Sequence, residues 1–248
     1  MNRQALGWIL AGGLLVAAQL PAQPINDLLT RVASMKNDQS TRMEVEIELR
    51  HRGTAPLHLN KTKRRGVSVI ESGPDGVKKI TSRDLSSSSR FSFWSKAAAE
   101  DEAPLMNDVD AEELVNPAGM MEVFLSEATL LSDENVTWRG RPARLLVVRP
   151  ALFERSPKQG KAPAGDEPTP LAAEARIWLD ENGVPLAMER GFDFRLGPAL
   201  SVTERQELIF QQVDGRLFVA EAQETYSGTG LAVLRSRDDR KVKVTSVR

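Results

Sequence analysis

The amino-acid sequence predicts an α+β fold in which one large antiparallel sheet carries two or three helices on one face. Three features lead there. Segments with period-two alternation of apolar and polar residues succeed one another through most of the chain. Hairpin signals such as Asn182-Gly183 and Asp214-Gly215 separate the later ones. Helical periodicity is confined to residues 24–39 and 108–128 instead of alternating with strands, which argues against a parallel α/β sheet.

The first segment reads as an export signal. Arg3 precedes an apolar run over residues 5–18, followed by small residues and Pro21. The run is 14 residues long, short of the roughly 20 that cross a bilayer as a helix. Cleavage fits after Ala18 or Ala22, so the expected organisation is a signal peptide over 1–22 and a single domain over 23–248. With no second apolar run, no stable membrane insertion is expected after cleavage.

Ile25, Leu28, Leu29, Val32 and Met35 then fall on one helix face, with Asn26 as the expected N-cap. Met43, Val45, Ile47 and Leu49 alternate with Glu44, Glu46, Glu48 and Arg50, the pattern of a strand with one dry and one wet face. A turn centred on Thr54-Ala55 would set Glu48 against Lys61, Glu46 against Lys63 and Glu44 against Arg65. The same register turns Arg64 toward the apolar face and brings His51 opposite His58. Residues 67–71 and 77–82 flank a second turn at Gly73-Pro74-Asp75-Gly76.

Residues 84–106 and 154–172 read as flexible insertions, the first serine-rich with an aromatic cluster at residues 91–94, the second rich in proline and charge. Between them a helix over 108–115, capped by Asp108 or Asp110, stops at Pro117. A second helix bears Met120, Met121, Phe124, Leu125 and Ala128 on one stripe. The run Leu145-Leu146-Val147-Val148 reads as a strand buried on both faces. The last third is a meander in which Met188, Phe192 and Phe194 share a face. In all, about ten strands are expected.

Composition narrows the function. Lys and Arg total 33 against 34 Asp and Glu, so no charge excess points to nucleic acid. Cysteine is absent, which excludes disulfides, thiolate zinc sites, a cysteine nucleophile and an acylated N-terminal cysteine. The two histidines alone do not make a metal site. The sequence carries no nucleophile elbow, phosphate loop or zinc-protease motif. A non-catalytic protein without cofactor or metal is therefore expected.

An exported N-terminal amphipathic helix, a long antiparallel meander and a helical insertion midway together resemble the LolA-like family, which includes the periplasmic outer-membrane lipoprotein carrier and related sigma-factor regulators. Lys63-Arg64-Arg65 is similar to the basic motif that ends that family's second strand, whose arginine contacts the lid. The stretch from Trp138-Arg139-Gly140 to Leu145 resembles its mid-domain chain reversal, and Ala175-Arg176-Ile177-Trp178-Leu179-Asp180 with Gly183-Val184-Pro185 resembles the following hairpin. The resemblance implies a curved sheet forming an unclosed β-barrel, with the helices as a lid on its concave face and acyl chains held beneath.

The lining would be Val45, Ile47, Leu49, Ile177, Met188, Phe192, Phe194 and Phe210 from the sheet, with Met120 and Phe124 from the lid. Arg64 would fasten the lid or meet a headgroup. The implied setting is the periplasm and the implied partner a lipid or lipidated protein. The alternative is an envelope interaction or sensor module with a filled core, binding a protein partner through residues 91–94.

Overall fold

The computed structural model describes residues 23–55, 58–86, 104–150, 169–196, 200–230 and 234–248. The signal segment 1–22, the aromatic cluster at 91–94 and residues 154–168 lie outside the described residues.

In chain order the elements are α1 (Gln23–Ala33), β1 (Thr41–Ala55), β2 (His58–Gly73), β3 (Gly76–Asp84), α2 (Asp108–Val115), α3 (Pro117–Leu125), β4 (Thr129–Trp138), β5 (Arg141–Arg149), β6 (Thr169–Leu179), β7 (Pro185–Leu196), β8 (Leu200–Val213), β9 (Arg216–Gly230) and β10 (Leu234–Val247). The ten strands form one antiparallel sheet in the order β3-β2-β1-β10-β9-β8-β7-β6-β5-β4. Its two edges, β3 and β4, do not pair with each other, so the sheet is not closed into a barrel. Every neighbouring pair is consecutive in sequence except β1 and β10, which join the ends of the chain through Met43↔Val247 to Thr54↔Arg235.

Strand alternation decides which face is dry. Met43, Val45 and Ile47 are buried while Glu44 and Glu46 are exposed, and Val242 is buried between exposed Lys241 and Lys243. On the dry face, Ile70, Leu146, Val148, Ala175, Ile177, Met188, Leu208 and Phe210 join one buried cluster with Ile25, Leu28 and Val32 of α1, Ala111, Leu114 and Val115 of α2, and Met121, Phe124 and Leu125 of α3. Leu105 and Met106, within the stretch expected to be a loop, also belong to that cluster. Leu105 sits so tightly on β2 that a Cβ at Gly66 would lie 2.3 Å from its Cδ1.

The β1–β2 register differs from the sequence expectation by four residues. Arg65, not Lys61, faces Glu48; Lys63 faces Arg50, Lys61 faces Arg52, and His51 faces Thr62 while His58 faces Ala55. An even slip keeps every side chain on its face, so hydrophobic alternation cannot choose between the two registers. Opposite-charge partners for Glu46 and Glu48 come from β10, as Lys243 and Lys241.

Five further differences have local causes. Asn26 lies inside α1, which begins at Gln23. Asn107, not Asp108 or Asp110, caps α2, its side chain accepting from Asp110 N at 2.8 Å. Pro117 does not only stop α2 but opens α3, with Asn116 between them: its N–H closes α2 on Glu112 O, and its side chain accepts from Gly119 N at 3.2 Å. In β5, Leu146 and Val148 are buried whereas Leu145 and Val147 are half-buried, so the strand has one dry face and not two. Residues 169–172, placed by the sequence in a loop, form the start of β6.

Candidate functional site

The layer between helices and sheet is rich in methionine. Met35, Met43, Met106, Met121 and Met188 are buried in it and Met120 is half-buried at its edge, which accounts for every methionine but Met1. The residues expected to line a groove converge here. Val45, Ile47, Ile177, Met188, Phe124 and Phe210 are buried, and Leu49 and Phe192 pack against them half-exposed. Phe194 pairs with Val202 in the β7–β8 ladder, and its side chain lies outside the described residues.

Among the described residues the layer is closely packed around small cavities. Met120, Met121 and Phe124 meet Met188, Leu208 and Phe210 around a cavity of about 10 Å³. A second cavity of about 20 Å³ lies under α2, beside Leu114 and Val242. Each is close to the space of a single water.

Charge closes the seam of this layer where α2 meets the sheet. Glu113 is buried; its Oε1 lies 2.7 Å from Arg190 Nη2, and its Oε2 accepts from Gln206 Nε2 at 2.8 Å. Arg240 pairs with Asp110, sits 3.8 Å from Glu224 Oε2, and donates to Leu105 O at 3.4 Å. Burial pushes the Glu224 carboxyl above the usual range, against the pull of Arg240. Three buried atoms of this seam, Arg190 Nε, Arg240 Nε and Gln206 Oε1, make no hydrogen bond. An apolar pair would leave none of these groups unsatisfied.

Sequence reasoning missed the seam, because Arg190, Gln206 and Arg240 read as ordinary polar positions of alternating strands. Arg64 lies on the helix-bearing face opposite Leu49, as expected, with its Nε donating to Asp84 Oδ2 at 3.0 Å at the end of β3.

The other face of the sheet carries a trough of about 570 Å³, lined by Glu46, Glu48, Arg65, Val67, Leu85, Glu207, Ile209, Glu221, Lys241 and Lys243. Arg139, in the β4–β5 turn, stacks on Trp138 at 4.8 Å and reaches Glu207 at 3.6 Å. Glu48 gathers Arg50 at 2.5 Å, Arg65 at 2.8 Å and Lys63 at 3.3 Å. Desolvation raises its pKa, but these three cations outweigh it and hold the carboxyl down at about 2.

The two histidines are not cross-strand partners, since His51 is opposite Thr62 and His58 opposite Ala55. His51 Nδ1 lies 2.5 Å from Asp238 Oδ1 across β1–β10, and the His58 side chain lies outside the described residues. None of the described helices is long and apolar enough to cross a membrane.

No family model matches the chain, and no curated protein matches it. Among solved structures it is similar to a DUF1329 family protein from Desulfovibrio piger ATCC 29098, at 12% identity over 92% of this chain and 92% of that one, with a TM-score of 0.36. It is also similar to a domain from Vibrio parahaemolyticus assigned to outer membrane lipoprotein sorting, at 13% identity over 90% of this chain and 91% of that one, again with a TM-score of 0.36.

Proposed function

We propose that the protein is an exported, non-catalytic binding protein of the periplasm that takes the acyl chains of a lipid or lipidated protein between its helices and the dry face of its sheet. The observation that carries this reading is the make-up of the layer. Its interior is methionine-rich, and unbranched thioether side chains repack around apolar guests of varied shape. Its seam is fastened by Arg190–Glu113 and Arg240–Asp110, which water can replace when the helices lift.

Binding would be driven by burial of methylenes at about 0.8 kcal/mol each, so about ten of them supply roughly 8 kcal/mol toward parting the layer. Ile177, Met188, Phe192, Phe194 and Phe210 would form the floor, with Val45, Ile47 and Leu49 beside them, and Met120 and Phe124 the roof. The signal peptide over 1–22 delivers the chain to that compartment, and residues 23–248 act as one domain.

The test is native mass spectrometry of the protein purified from a periplasm, with titration of a fluorescent long-chain fatty acid. Co-purifying lipid, and uptake that Asp110→Asn with Glu113→Gln accelerates, is expected. No bound lipid and no uptake by either form would overturn the proposal. That outcome would favour the second reading, a partner-binding module, which the close packing of the described part of the layer and the open trough on the opposite face support.

A further inference from the structure

One polar rung crosses the helix-bearing face of the sheet. Arg190 of β7, Gln206 of β8, Glu224 of β9 and Arg240 of β10 are successive cross-strand partners. Above them α2 brings Glu113 to Arg190 and Asp110 to Arg240. Two guanidiniums thus meet three carboxylates, and Glu224 is left with only an approach of 3.8 Å to Arg240. Glu204, two residues along β8 on the same face, adds repulsion. Asp238, two residues along β10, is held by His51, and Tyr226, the next residue on this face of β9, is neutral at ordinary pH.

Gln206 supplies a second, independent observation. It is 7% exposed, its Nε2 donates to Glu113 Oε2 at 2.8 Å, and its buried Oε1 accepts nothing among the described residues. Turning the amide over would set Oε1 against the Glu113 carboxylate, so Glu113 fixes which atom is the orphan. Gln206, Glu224, Arg240, Asp110 and Glu113 all line the cavity of about 20 Å³ under α2. One surplus negative charge and one buried acceptor without a donor are both answered by a single proton.

We propose that Glu224 is a proton-operated latch on α2. Protonated, it donates to Gln206 Oε1, directly or through a bridging water, and leaves Arg240 to Asp110. Ionised, it competes with Asp110 for Arg240 and releases the helix. Arg240 can make that exchange, since its Nε forms no hydrogen bond and a guanidinium fork accepts either carboxylate. The ionised group also repels Asp110 and Glu113, the two residues that pair α2 with the sheet. Burial pushes the Glu224 carboxyl upward, the direction such a latch needs. Seating of α2 is therefore firmest in acid and weakens as pH rises through the raised value. The latch concerns only how α2 sits on the sheet, and it holds whether or not the layer takes acyl chains.

The experiment places one thiol in α2, Ala111→Cys, at a fully buried position of a chain that has no cysteine. Labelling of the mature chain is followed from about pH 4.5 to about pH 8, each rate divided by that of the same chain unfolded in denaturant at the same pH. The normalised rate should climb by about ten-fold or more, ten-fold for each pH unit between the titrations of the seated and lifted states. Glu224→Gln keeps a neutral donor toward Gln206 Oε1 and should hold the rate at its acid value throughout. Glu207→Gln, on the opposite face, should leave the climb intact. Infrared spectra of the cysteine-free chain over the same range should show a protonated-carboxyl band that Glu224→Gln lacks, which reads the proton without the labelled variant. A flat rate in the parent, a climb that survives Glu224→Gln, or no band lost in that variant would overturn the proposal.

Discussion

The two halves of β1 behave as different materials. From Met43 to Ile47 its inward side chains are apolar and fully buried under the helices; from Leu49 to Gly53 the inward positions are Leu49, His51 and Gly53, none of them fully buried. The same change runs across the sheet. Under α1 and α3 the layer is apolar, whereas under α2 arginine, glutamate and glutamine stand beside Ala111, Leu114 and Val115. The contrast teaches that one continuous sheet can combine a region held by burial with a region held by directional pairs. Burial resists opening in proportion to area, while a charged seam gives way once water reaches it.

The largest effects should come from the apolar half. Ile177→Ala, at a fully buried position, is expected to cost about 2–5 kcal/mol in denaturant unfolding. Lys241→Ala on the exposed face should stay within about 0.5 kcal/mol. Comparable losses at both positions would erase the distinction.

At the seam, Glu113→Ala strands Arg190 and Gln206 and should cost about 3 kcal/mol, whereas Glu113→Leu combined with Arg190→Met should be close to neutral or stabilising. If the double replacement proves as damaging as the single one, the seam is not an electrostatic fastening.

Helix ends come next. Asn107→Ala removes the cap of α2 and Asn116→Ala the cap of α3, each expected to cost about 1 kcal/mol, with the larger loss at Asn116 because its side chain also accepts from Asn37 N at 3.4 Å.

The smallest effects are pH-dependent and opposite in sign. Glu48 is held at about 2 against an ordinary 4.5, so the stability it contributes is present above pH 4.5 and lost as pH falls toward 2. Glu48→Gln should flatten the acid limb in that window. Glu224 is shifted upward, so its favourable contribution exists in acid and disappears as pH rises through its raised pKa. Glu224→Gln should therefore stabilise the protein at neutral pH and lose that advantage in acid, as read from denaturation midpoints across pH.

The sheet and the helices on one face were legible in the sequence because alternation and turn residues are local signals, whereas its openness was expected only from the family resemblance. Asp214 and Gly215, both at positive φ of 50° and 79°, form the tight turn their identities announce. The β1–β10 pairing was not legible, since it joins strands nearly the length of the chain apart and its trace was only the match of Glu46 and Glu48 to Lys243 and Lys241.

Strand β4 was hidden by Ser132-Asp133-Glu134-Asn135, a polar stretch that edge strands tolerate; there Arg144 grips Asp133 with two bonds of 2.7 and 2.6 Å. For the candidate site, the apolar lining could be chosen by periodicity. The seam could not, because Arg240 sits in Asp238-Asp239-Arg240-Lys241, where any reading expects solvent-facing charge, and its partners come from distant segments, Asp110 of α2 and Glu224 across the β9–β10 ladder.

The most direct measurement is thiol labelling of Met121→Cys, since the chain has no other cysteine. If the helices part from the sheet as a unit, this buried position should label about ten-fold or more faster than the variant unfolds as a whole, and Glu113→Gln should raise that rate further. Labelling only at the global unfolding rate, unchanged by Glu113→Gln, would contradict an opening layer.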